Sequence, residues 1–380
     1  MKNKFAKSIV CLCLAVTSLL YADHSRIQFN NQDLFLNGLN LAWGQYPSGE
    51  VSFADDIGPT MNTPNMSHFT DVFTQLEANG ANCMRLWLHT NGKNTPQWEG
   101  SRVIGPGKDS ISDLHAILDL AWEHNISLMP CLWSFDMLRT SNGSELTDRA
   151  KDLLTKPGSR QSYIENSLIP MVQGLKGHPA IIAWEIFNEP EGMSNEHGWK
   201  HTRHVPMADI QAFVNVCAGA IHRTDPSAKV TNGSWAFITN SDIGDNFNYY
   251  TDARLIKAGG DPEGTLDFYT VHYYDWAKEV HSPFQHPASH WGLDKPIVIA
   301  EFYPNCKYCT KTSHETLFQN GYAGALSWSW TDKPHQEMLD HIRAVSTAHQ
   351  QDIQLVIKAP STPVKTEIGP VPKKKSPPKQ

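Results

Sequence analysis

Apolar residues recur along the middle of the chain at two alternating periods. Phe69, Val72, Phe73 and Leu76 lie three or four positions apart, the spacing of one helix face, and Asn79-Gly80 closes the run. A short apolar stretch at 83–88 follows and reads as a strand. The couple repeats as Leu114, Ile117, Leu118, Ala121 and Trp122 before 126–133. It repeats again as Ile210, Phe213, Val214, Cys217 and Ile221 before 229–235, with Asp225-Pro226 as the stop. Strand-like runs at 36–43, 181–189, 266–274, 296–302 and 324–330 bring the count to eight. Eight strands alternating with helices predict an α/β fold, the (β/α)8 TIM barrel.

The connections leaving strands are long (44–64, 190–206, 236–252 and 275–294) and those entering strands are short. That asymmetry suits a cleft at the strand-exit end of a barrel. One catalytic-size domain over 23–357 accommodates the pattern. Residues 1–22 begin with three lysines and continue as an apolar run ending at Tyr21-Ala22, so they read as a secretory signal peptide. The protein is therefore expected to be secreted. Residues 358–380 are rich in Pro and Lys without apolar periodicity and read as a disordered tail. No later stretch has the length and apolarity of a membrane span.

Charge and cysteine narrow the partners. The chain carries −7 with histidine neutral; leaving out the three lysines of 1–22, and the six lysines and one glutamate of 358–380, puts the body at −15. An acidic body argues against a nucleic-acid surface and suits an uncharged ligand. Cys11 and Cys13 fall in the leader. Cys306-Lys307-Tyr308-Cys309 lacks the second pair of a zinc ribbon, and in an exported protein a local disulfide is expected. Cys83, Cys131 and Cys217 sit in apolar runs and are expected as core thiols. The eighteen histidines include no His-x-His pair, so no metal centre is expected. Gly-x-Ser-x-Gly is absent, which leaves Ser-His-Asp catalysis unsupported.

Two of the strand-like runs close on an acid: Trp184-Glu185-Ile186-Phe187-Asn188-Glu189-Pro190, and Ile297-Val298-Ile299-Ala300-Glu301-Phe302. Parallel barrel strands deliver their last residues to one face, so Glu189 and Glu301 are expected to meet in one pocket. Two convergent carboxyls are the equipment for cleaving a glycosidic bond. Trp43, Trp133, Trp235, Trp328 and Trp330 also close strands, where indole faces suit sugar rings. For Trp330 core packing is an equal alternative. Trp87, Trp122 and Trp184 are assigned to the core, and Trp276 to a platform beyond the strand that holds His272.

With these residues in view, the chain resembles retaining glycoside hydrolase family 5 from Asn37-Gly38 to Trp330. Trp184 to Pro190 looks like the family's acid/base motif, Arg85 like the arginine that holds the nucleophile, and His272-Tyr273-Tyr274 like its His-x-Tyr. Ala300-Glu301-Phe302 is similar to its Gly-Glu-Phe with Ala in place of Gly, and Trp328 matches the indole beneath the sugar. The resemblance implies Glu301 as an ionised nucleophile whose pKa Arg85 holds down, and Glu189 as a protonated acid/base. It implies Asn188 at the sugar 2-hydroxyl, Tyr274 donating to Glu301, and His272 orienting the acid/base side. The reaction would be a double displacement by a monomer on a polysaccharide, without a cofactor. Trp133 after Leu132, Asn-Glu-Pro-Glu-Gly at 188–192, Trp276 and Trp328-Ser329-Trp330 resemble the mannanase branch, so an endo-β-1,4-mannanase is expected. The alternatives are an endo-β-1,4-glucanase and a non-catalytic carbohydrate-binding barrel.

Overall fold

The computed structural model describes residues 25–43, 66–309, 312–332 and 334–355. The leader at 1–22, the tail at 358–380 and the long connection at 44–64 lie outside the described residues. An antiparallel hairpin, β1 (Ile27–Phe29) and β2 (Gln32–Leu34), leads directly into β3 (Leu36–Leu41), the first barrel strand. β4 (Cys83–Thr90) pairs with β3, and a second hairpin, β5 (Gln97–Glu99) and β6 (Arg102–Gly105), is inserted after it. β7 (Ser127–Ser134), β8 (Trp184–Asn188), β9 (Val230–Ser234), β10 (Tyr269–Tyr273), β11 (Ile297–Phe302) and β12 (Gly324–Ser327) complete a closed parallel barrel, β12 pairing back onto β3. This is the (β/α)8 barrel that the periodicity predicts, with all eight strands in the expected order.

Every residue of these eight strands is buried, because helices cover the outer face and side chains fill the inner one. α1 (Met66–Ala78) buries Phe69, Val72, Phe73 and Leu76, as their spacing requires. α2 (Ser110–Glu123) and α6 (Met207–Thr224) bury their predicted stripes likewise, apart from Trp122, which is half-buried. Between β7 and β8 the chain forms α3 (Ser144–Thr155), α4 (Pro157–Tyr163) and α5 (Ile169–Gly174), with a π-helical turn at Ile164–Leu168. α7 (Asp252–Gly259), α8 (Ser313–Gln319), α9 (Gln336–Ala348) and α10 (Gln350–Ile353) finish the outer layer. Cys306 and Cys309 form the local disulfide, and Cys83, Cys131 and Cys217 are buried thiols. Among the described residues no helix is long and apolar enough to cross a membrane.

The parallel ladder is irregular at three places. It shifts between Glu185 and Asn188 on β8, between Val271 and His272 on β10, and between Trp87 and Thr90 on β4. Bulges of this kind re-aim side chains at the rim of a barrel. On β8 the shift lets Glu185 and Asn188, three positions apart, bond the same interior arginine, while Phe187 packs against Phe213 of α6.

Candidate active site

Arg85 on β4 sits fully buried inside the barrel, and four oxygen acceptors, with the Cys131 sulfur 3.8 Å from Nη2, converge on its planar fork. Nε donates to Glu185 Oε2 at 2.5 Å, Nη1 to Asn40 Oδ1 at 2.9 Å and Glu301 Oε2 at 3.1 Å, and Nη2 to Asn188 Oδ1 at 3.0 Å. A guanidinium presents five donors in fixed directions, so these bonds lock β3, β8 and β11 in mutual orientation. Burial pulls the guanidinium down, yet Glu185, then Cys131 and Glu301, carry it above its ordinary value. The fork needs room on the β9 side. A Cβ on Gly233 would lie 2.8 Å from the Phe187 carbonyl oxygen, 3.0 Å from the Glu185 carboxylate and 3.1 Å from Arg85 Nη2, so only glycine fits there.

Glu301, on β11, is held from two sides. Oε2 accepts from Arg85, and Oε1 accepts from the Tyr274 hydroxyl at 2.6 Å. Burial raises its pKa while Arg85 and Tyr274 lower it, and the balance falls at about 7. The expectation that Arg85 would hold this carboxyl down is therefore corrected: the arginine acts in the expected direction, but desolvation outweighs it. Burial, then the Glu301 charge, push the Tyr274 phenol well above its usual range, so it stays a donor.

Glu189 follows the last residue of β8 in a left-handed turn, φ 47° and ψ 51°, with Pro190 next. That conformation is uncommon outside glycine and costs on the order of 1 kcal/mol or more. Its backbone N–H donates to the Gly233 carbonyl at 2.8 Å, which holds the turn. Burial, then the charges of Glu301 and Glu191, raise its pKa well above the glutamate range. Of the two carboxyls Glu189 keeps its proton the more firmly. His272 lies beneath both, its Nδ1 3.0 Å from Glu189 Oε1 and 3.5 Å from Glu301 Oε2. Burial, with Arg85, holds the imidazole well below its usual pKa, so the ring is neutral. One oxygen of each glutamate and a ring nitrogen of His272 lie within 4.8 Å of one another.

The carboxyls open into a cavity of about 510 Å³ that Asn188 and Tyr274 also line. One part of its wall is aromatic: Trp43, Trp87 and Trp328 meet at centroid distances of 5.2 to 5.7 Å. The indole nitrogens of Trp43 and Trp328 both donate to Asp332, at 2.9 and 2.7 Å. Another part is polar. Arg139 donates to Asp136, Ser134 Oγ to Asp136 at 2.6 Å, and Asn188 Nδ2 to Ser134 Oγ at 3.2 Å, so a chain of bonds runs from the wall to the amide beside Glu189.

Comparison with known proteins settles the family. The model described as cellulase (glycosyl hydrolase family 5) matches residues 55–334. The chain belongs to glycosyl hydrolase family 5. A mannan endo-1,4-beta-mannosidase of Mytilus edulis is 35% identical over 332 residues, covering 81% of this chain and 87% of the relative. Another, of Cryptopygus antarcticus, is 30% identical and covers 83% and 85%. Among solved structures, the beta-1,4-mannanase of the sea hare Aplysia kurodai aligns with a TM-score of 0.78 at 33% identity, over 87% of this chain and 97% of that one.

Within this family 5 barrel, Glu189, Glu301, Asn188, Tyr274 and Trp328 line the cavity, whereas Arg85 and His272 act from beneath it. Trp133 is a correction. It is 1% exposed, with its ring 4.8 Å from His89 and 5.3 Å from Tyr163 of α4, so it packs outward and cannot be a sugar platform here. Its neighbour Ser134 is the residue of that strand end that faces inward. Trp87 moves the other way, from expected core to cavity wall. Trp330 stacks on His335 at 3.9 Å and is buried, and Trp184 is core as expected. Trp276, 49% exposed, lies 5.1 Å from Trp235, beyond the walls of the cavity that holds the carboxyls. Asn40, Glu185 and the Asp136–Arg139 pair carry no assignment from the sequence. The first two had a signal, since each is a polar residue flanked on both sides by apolar ones, Leu39 and Leu41 for Asn40, Trp184 and Ile186 for Glu185.

Proposed function

We propose that the protein is a secreted, retaining endo-β-1,4-mannanase working by double displacement, with Glu301 as nucleophile and Glu189 as acid/base. The observation that carries this reading is the pair of carboxyls facing one cavity with oxygens less than 5 Å apart. So close an approach suits direct attack by one carboxylate, whereas an inverting pair leaves room for a water between the carboxylate and the sugar. In the first step Glu301 bonds to the anomeric carbon while Glu189 protonates the departing glycosidic oxygen. In the second, Glu189 takes a proton from water, the water oxygen bonds to the anomeric carbon, and Glu301 leaves as carboxylate. Arg85 and Tyr274 stabilise Glu301 in its charged states, Asn188 meets the sugar 2-hydroxyl, and Trp328 supplies a face for the ring. No metal or cofactor enters these steps. A neutral polysaccharide met outside the cell agrees with the acidic body and the leader-like start.

The mannan preference rests on the relatives that act on mannan at 35% and 30% identity. A β-1,4-glucan remains the second reading because the matching family model is described as cellulase. Release of reducing ends from galactomannan is expected to exceed release from carboxymethylcellulose by at least about a hundredfold, a contrast of ~2.7 kcal/mol in transition-state binding. Cleavage of the glucan alone would overturn the mannan assignment.

The carboxyl pair also sets a pH dependence. Attack needs Glu301 ionised, so kcat/KM falls as pH drops through the first proton loss of the pair, which burial moves upward from an ordinary glutamate. Donation needs Glu189 protonated, so the rate falls again at higher pH, as the second proton leaves. A bell on mannooligosaccharide is expected, with its acid limb above about pH 4.5, the region of an ordinary glutamate. An acid limb at or below that value would mean that substrate-free burial does not govern Glu301.

A further inference from the structure

Glu191 lies two residues beyond Glu189, wholly buried, in the short 3-10 turn Pro190–Met193. Its carboxylate is ringed by donors. Oε1 accepts from Ser234 Oγ at 2.9 Å, Thr239 Oγ1 at 3.2 Å and Tyr250 OH at 2.5 Å, and Oε2 accepts from the Trp235 backbone N–H at 3.2 Å. Burial raises the pKa of this carboxyl, and the bonds from Tyr250, Ser234 and the Trp235 N–H work against that rise in favour of the ionised form. All four donors are uncharged, so they hold the charge without cancelling it. This differs from Glu301 and Asp136, whose charges are offset by Arg85 and Arg139. The same turn is bonded to the acid/base residue, because Gly192 N–H donates to the Glu189 carbonyl at 3.1 Å and Ser194 N–H to the Glu191 carbonyl at 3.0 Å.

We propose that Glu191 is a positioning residue for Glu189: its buried carboxylate, bonded to Ser234, Thr239, Tyr250 and the Trp235 N–H, ties the turn that follows Glu189 to the end of β9 and the segment beyond it. The inference rests on the reading of Glu189 as acid/base. Groups that bear on Glu189 are Glu301, Glu191, Asp136, Arg85, His272 and Tyr274; those bearing on Glu191 include Tyr249 and Tyr250. Burial and Glu301 raise Glu189 most, and Glu191 comes next. Removing the Glu191 charge therefore loosens the Glu189 proton without touching the nucleophile.

Glu191→Gln tests this with little change of shape. Its amide oxygen can face the fixed Trp235 N–H, and its NH2 can donate to two of the three hydroxyls, which rotate to accept. The basic limb of kcat/KM on mannopentaose is expected to move to lower pH by on the order of half to one unit, the acid limb staying in place. On a 2,4-dinitrophenyl β-mannobioside, whose leaving group needs no proton, the rate should stay within about twofold of wild type. Glu191→Met gives the same readout should the amide fail to fold, with thermal unfolding monitored for both. An unmoved basic limb, or equal losses on both substrates, would mean that Glu191 holds the loop without positioning Glu189. Glu189→Ala separates the two ideas, since it should lose the oligosaccharide reaction and spare the first step on the aryl substrate, read as kcat/KM. If it impairs both equally, the acid/base reading fails; if it behaves as expected while Glu191→Gln leaves the limb in place, only the present inference fails.

Discussion

Glu301→Gln is expected to abolish turnover of mannan, lowering kcat by about 10⁴-fold or more, some 5.5 kcal/mol of lost transition-state stabilisation. The amide occupies the same volume between Arg85 and Tyr274, so the fold should persist, but its neutral oxygen cannot form and release a glycosyl ester. Glu189→Ala removes a proton donor and is expected to cost about 10²–10⁴-fold on the polysaccharide. With a dinitrophenolate leaving group the first step needs no acid, so the Glu189→Ala enzyme should form its glycosyl intermediate at a near-normal rate and then stall. Azide, which needs no general base to attack, should relieve that stall and yield the β-azide, whereas Glu301→Gln should gain nothing comparable. The contrast follows from geometry. Glu301 is clamped by a cation and a phenol, while Glu189 faces a neutral imidazole from a left-handed turn. Equal residual activities with the aryl substrate, or azide rescue in both variants, would contradict the division of roles.

How much of this was legible in the sequence depends on which force dominated locally. The barrel strands were legible because both their faces are buried, which leaves apolar runs such as Ile297 to Phe302. α1, α2 and α6 were legible from uninterrupted helical spacing. The segment between β7 and β8 was not, because Pro157 starts a new helix and the π turn at Ile164–Leu168 shifts the phase of the buried face, so no single period spans it. Glu189 and Glu301 were visible as acids closing strands. Trp133 was misread because strand-end position does not say which way a side chain points, and here Ser134, not Trp133, faces Asn188. Arg85 could be placed on its strand, but the bulge that brings both Glu185 and Asn188 to it exists only in the paired ladder. The rise of Glu301 to about 7 was hidden for a related reason: a sequence shows the arginine but not the depth of burial.

Arg85→Met is the substitution expected to damage the fold most. The unbranched side chain fills much of the vacated space, so the loss is chiefly electrostatic: Glu185 and Glu301 remain buried and lose their shared cation. Removing one partner of a buried ion pair costs about 3–5 kcal/mol, and Asn40 and Asn188 each lose a donor as well. The sign of the pH dependence can be worked out from burial. Without the cation, the desolvated Glu301 carboxyl binds its proton more tightly in the folded than in the unfolded chain, so the folded state is favoured at low pH and loses that advantage as pH rises through the folded value. The deficit in Tm against wild type should therefore be small near about pH 4.5 and widen toward about pH 8. Arg85→Lys keeps one charge but cannot bond four acceptors in one plane, so at that higher pH it should recover part of the stability and little of the activity. Adding Glu185→Gln to Arg85→Met should restore stability there, because it removes one of the two stranded charges, and the pair would be non-additive by more than the ~0.5 kcal/mol seen for independent sites. A Tm deficit that ignores pH would mean that Arg85 holds the barrel by shape, with its charge reserved for Glu301.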